Sequence, residues 1–107
     1  MMTAEQIFNE KIAQKLSANA DKVKTIRAIY QFELTGDAPS SWTIDLTKDK
    51  NFVSSGANAQ ANCTVTIQLQ DLSDIIEKKL NPQMAFMTGK LKVKGDMGLA
   101  LKLGSIL

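Results

Sequence analysis

Apolar residues Ile7, Phe8, Ile12 and Leu16 recur at helical spacing, against a polar face of Glu5, Glu10, Lys11 and Lys15. The pattern predicts an amphipathic helix ending between Ser17 and Asp21, with Thr3 as N-cap and Gln6 as its reciprocal partner. The period then falls to two. Ile26, Ala28, Tyr30, Phe32 and Leu34 share one face of a strand and Arg27, Gln31 and Glu33 the other, with Ile29 misplaced on the polar side. Gly36-Asp37-Ala38-Pro39 is a turn, and Trp42, Ile44 and Leu46 alternate in a second strand that pairs with the first as a hairpin. Phe52-Val53 reads as a short edge strand, and Cys63, Val65, Ile67 and Leu69 as a strong fourth one. Asp71 is placed to cap a helix whose stripe is Leu72, Ile75, Ile76 and Leu80. Asn81-Pro82 opens a short helix that Gly89 ends. Leu91 and Val93 then oppose Lys90, Lys92 and Lys94 in a fifth strand, and Asp96 caps a final helix of very low polarity.

The polar face of this five-stranded sheet carries Thr, Lys, Gln, Arg and Asp, so the helices are expected to collect on the other face. That is a two-layer α+β domain. A chain of 107 residues has room for one such core, and residues 1–107 are expected to form a single domain.

Composition narrows the function by exclusion. Net charge is +2, too small to argue for nucleic acid, and no residue is histidine, the commonest general base. Carboxylates lie at caps and turns without forming an acid/base couple. Neither metal-ligand spacing nor a phosphate-binding glycine loop is visible, so no enzyme, metal or cofactor is expected. Cys63, on the apolar face of a strand, is expected to be inert packing rather than a nucleophile. A single cysteine, no secretory signal and no membrane-spanning run lead us to expect an intracellular, soluble protein and a monomer. Ser105-Ile106-Leu107 departs from the Ser-Lys-Leu peroxisomal address.

Binding is the better supported class. The stretch from Met97 to Leu107 has only Lys102 and Ser105 as polar side chains, more apolar surface than one sheet face covers. It is either buried between sheet and helix or forms a lid over an apolar ligand, where Met84, Met87 and Met97 would repack around an irregular guest. Lys90, Lys92 and Lys94 either protect a sheet edge or dock transiently on an anionic membrane surface.

The run NPQ-x-AF-xx-GKLK-xx-G-x-MGLA-x-KL, from Asn81 to Leu103, resembles the C-terminal signature of the sterol carrier protein 2 family of small lipid-binding domains. SWTIDL at Ser41–Leu46 and ANCTVTI at Ala61–Ile67 are similar to that family too, as is the order of elements over nearly the whole chain. The resemblance implies a tunnel between sheet and helices holding fatty acid, fatty acyl-CoA, sterol or another lipid. Its implied function is non-catalytic lipid binding and transfer. The alternative is a structural or targeting module that accompanies a lipid-metabolising enzyme.

On matching positions the resemblance implies a lining that includes Trp42, Phe86, Met87, Met97, Leu99 and Leu101. The apolar faces add Phe8, Ile12, Leu16, Phe32, Leu72 and Ile76, with Thr88 and Lys90 expected to flank the mouth. Many of the proteins it resembles continue into a longer tail, so a wider opening is expected here. A tunnel for a long acyl chain needs roughly 300 Å³. Left empty, it would cost roughly 7 kcal/mol. That rivals the roughly 5–15 kcal/mol stability of a whole domain, so the tunnel is expected to be closed or filled.

Overall fold

The computed structural model describes residues 2–106. The first helix, α1, is π-helical over Gln6–Ile12 and α-helical over Ala13–Ala18. The expected capping box is formed: the Thr3 N–H donates to Gln6 Oε1 (2.9 Å) and the Gln6 N–H to Thr3 Oγ1 (3.2 Å). The wider π turn brings Ile7 and Ile12, five residues apart, closer to one line, and both are buried with Phe8. A single turn, α2 (Ala20–Val23), leads to the sheet.

Five strands form the sheet: β1 (Ile29–Thr35), β2 (Ser40–Asp45), β3 (Val53–Ser55), β4 (Cys63–Gln68) and β5 (Leu91–Gly95), in the order β3-β2-β1-β4-β5. β1 pairs antiparallel with β2 and parallel with β4; β5 closes the far edge antiparallel to β4. Registers line up rows of side chains across the sheet. Trp42, Phe32, Val65 and Val93 form one row, and Leu34, Ile67 and Leu91 a second. The helices α3 (Leu69–Ile76), α4 (Pro82–Met87) and α5 (Met97–Ile106) complete the chain.

Several boundaries differ from the sequence reading: Leu46 lies beyond β2, Leu69 belongs to α3 rather than β4, Leu80 lies beyond α3, and Lys90 precedes β5. β1 begins at Ile29, not Ile26, because Arg27 adopts a left-handed conformation (φ 54°) that breaks the extended run. Ile29 is buried although the alternation set it on the polar side: Asn62 clasps its main chain, with Oδ1 accepting from the Ile29 N–H (2.9 Å) and the Asn62 N–H donating to the Ile29 carbonyl (2.8 Å). α3 starts directly at the end of β4, with Gln68 at the cap position, so Asp71 lies inside the first turn rather than capping it.

The junction of β5 and α5 depends on glycine. Gly95 has φ +102°, and a Cβ there would stand 2.6 Å from the Asn62 carbonyl oxygen. Asp96 then caps α5 as expected, its carboxylate accepting from the Leu99 N–H at 3.2 Å.

Candidate binding cavity

The two ends of the sheet are covered differently. α1 lies over the β2–β3 side, where Phe8 stacks on Trp42 (centroids 4.9 Å apart, planes 2° apart) and meets Phe32 edge-on at 5.3 Å. This half is solid: Ile7, Phe8, Ile12 and Leu16 are fully buried. Over the β4–β5 side, α3, α4 and α5 leave a cavity of about 390 Å³. Its floor is Phe32 of β1, Val65 and Ile67 of β4, and Leu91 and Val93 of β5. Its walls are Leu72 and Ile75 of α3, Asn81 to Gln83 and Phe86 at α4, and Met97, Ala100, Leu101, Leu103 and Gly104 of α5.

The rim faces solvent: Phe86, Met97 and Leu101 line the cavity and are 43%, 44% and 70% exposed. Large apolar side chains half out of water around one opening carry an unmet hydrophobic demand. α5 divides between core and opening. Leu103 is buried against the core, while Met97 and Leu101 face the opening.

Of the residues expected to line the site, Phe32, Leu72, Phe86, Met97 and Leu101 meet around this cavity. Phe8, Ile12, Leu16 and Ile76 do not, because they are spent in the core between α1, α3 and the sheet. Trp42 is held away too, stacked on Phe8 with its Nε1–H donating to Ser40 Oγ at 3.1 Å. Trp42 lines a separate polar cleft with Glu5, Asn9, Ser40, Ser41 and Ser55. Leu99 packs on the core, and its carbonyl accepts the Tyr30 hydroxyl at 2.7 Å. Met87 projects into solvent at 74% exposure. Thr88 and Lys90 are exposed at the end of α4, outside the lining. The sequence reading missed Val65, Ile67, Ile75, Leu91, Val93 and Leu103, although alternation had already put the strand residues on the covered face.

Electrostatics around the cavity are quiet. Among the described residues that line it none is charged, and its polar side chains are the carboxamides of Asn81 and Gln83. Burial, then the charges of Cys63 and Asp96, push the Tyr30 phenol up to about 12. Cys63 is buried, and burial followed by Asp96 pushes its thiol up as well, away from a reactive thiolate. Among the described residues no cluster of three potential metal ligands occurs, and no helix is long and apolar enough to cross a membrane.

Known proteins share this architecture. Over 92 residues the chain is 45% identical to hydroxysteroid dehydrogenase-like protein 2 of Xenopus laevis, covering 85% of this chain and 22% of that protein. It is 38% identical to sterol carrier protein 2 of Rattus norvegicus, covering 96% of this chain and 19% of that one. The chain therefore spans about a fifth of the length of these curated relatives. The solution structure of palmitated SCP2L2 from Aedes aegypti superposes with a TM-score of 0.82 at 30% identity, covering 98% of this chain and 94% of that one. The family model for the SCP-2 sterol transfer family matches residues 8–107, the sheet and the cavity-forming helices together, and the chain belongs to that family.

Proposed function

We propose that this chain binds lipid in the cavity between sheet and helices, carries it without chemical change, and acts as a single lipid-binding domain. The carrying observation is an opening of about 390 Å³ lined almost wholly by apolar side chains and rimmed by exposed Phe86, Met97 and Leu101. Each methylene buried there would contribute about 0.8 kcal/mol. The palmitated state of the Aedes aegypti relative supports the reading. So does a shared fold in which that relative and this chain align nearly end to end.

Lys92 and Lys94 stand exposed on the edge strand β5, with Lys90 exposed just before it. We assign them to transient docking on anionic membrane. A second reading, a lipid-holding module within a larger enzyme, is favoured by the 22% of the Xenopus laevis dehydrogenase-like protein that the chain matches.

Native mass spectrometry of the purified chain, followed by melting with a panel of fatty acids, acyl-CoAs and neutral lipids, tests the main reading. A ligand at a hundred times its dissociation constant should stabilise the fold by about 2.7 kcal/mol. No bound mass, and no shift with any member of the panel, would overturn it.

A further inference from the structure

Resting on that lipid-binding reading, we infer that the cavity sorts single-chain lipids by chain length. The chain enters methyl end first, and Phe32, backed by Phe8 and Trp42, stops it. The cavity is open on one side and closed on the other. Its exposed lining, Phe86, Met97 and Leu101, belongs to α4 and α5. Its floor runs inward from the edge strand: Val93 of β5 pairs with Val65 of β4, and Val65 with Phe32 of β1. Neighbouring strands lie about 4.8 Å apart, so this row reaches about 10 Å into the molecule. Among the described residues Phe32 is the one member of β1 in the lining, and it is buried. Leu34, on the same face of the strand and equally buried, lies outside it.

Beyond Phe32 the same row meets Trp42. Phe8 stacks on Trp42 and meets the Phe32 ring edge-on, and all three rings are buried. A chain could pass only by displacing one of them from close-packed core. The mouth, in contrast, asks little of the head: Asn81 and Gln83 are exposed, so a carboxylate or a larger polar head there keeps its water. Selection therefore falls on the chain. Each methylene that leaves water tightens binding about fourfold. Once the methyl end meets Phe32, further carbons stay at the open mouth and the gain per carbon falls.

Calorimetric titration of the full chain with the even-numbered saturated fatty acids from octanoate to stearate, at about pH 8 where all are ionised, is the test. Affinity should climb about fourfold per methylene and then level off. Phe32→Leu should move that break to a longer chain, whereas Leu34→Val should leave it in place. A series that climbs without a break overturns the length limit while leaving lipid binding intact. A break that Phe32→Leu does not move, or that both substitutions move equally, overturns the assignment to Phe32. Trp42, the one tryptophan of the chain, reports on the wall without any substitution. A bromine on the last carbon of a bound fatty acid should quench its fluorescence more strongly than a bromine beside the carboxylate. Equal quenching, or stronger quenching from the carboxylate end, overturns the methyl-first orientation. Binding of no member of the series, by a chain that also ignores the broader lipid panel, removes the lipid-binding reading and this one with it.

Discussion

Tyr30 ties the sheet to the last helix, its buried hydroxyl donating to the Leu99 carbonyl at 2.7 Å. In the folded chain the phenol holds its proton up to about 12, whereas an unfolded tyrosine releases it near 10.0. The unfolded state therefore binds fewer protons across that window. Stability is complete below pH 10 and declines as pH rises toward 12. Tyr30→Phe should lose about 1 kcal/mol at neutral pH with the hydrogen bond. It should also show a shallower fall in melting temperature above pH 10 than the parent. Parallel slopes would remove Tyr30 as the titrating group. Alternation set Tyr30 on the apolar face, but its bond to a residue 69 positions away could not be read from the chain.

At the scale of elements, β5 gives the cavity its outer floor. Val93 sits opposite Val65 in the sheet, on the edge strand, with open space above it. Val93→Phe would put a ring into that space without disturbing the solid half of the core. Roughly tenfold weaker lipid binding is expected, with the unliganded melting temperature changed little, and thermal shift against the parent reads both. Undiminished binding would place the lipid elsewhere. β5 was legible as a strand because Leu91 and Val93 alternate with lysines. Its partner was not, since nothing local to β5 says that it lies against β4 rather than β3.

Across the whole molecule, Lys92 and Lys94 stand exposed on the face of β5 turned away from the cavity, with Lys90 exposed just before the strand. Three lysines near an anionic surface contribute about 1 kcal/mol each. Replacing Lys90, Lys92 and Lys94 by Gln should then weaken low-salt binding to phosphatidylserine liposomes by roughly a hundredfold. Co-sedimentation of the parent should fall as salt is added. Binding that ignores both salt and the triple substitution would count against docking through this strand.

The chain by itself determined its elements and their faces. Short-range periodicity, the Thr3–Gln6 capping box, the Asp96 cap and the glycine at position 95 are local devices, and each acts within a few residues. The same locality explains why the twelve expected lining residues divide. A buried leucine or phenylalanine on an amphipathic helix has one pattern whether it meets another side chain or a space. Only the parallel placement of β4 beside β1 decided the matter. It sent α1 over β2 and β3, where Phe8 and Trp42 close the core, and left α3, α4 and α5 to roof the other half incompletely. The cavity is what remains between elements, and its shape follows from how they are arranged in space.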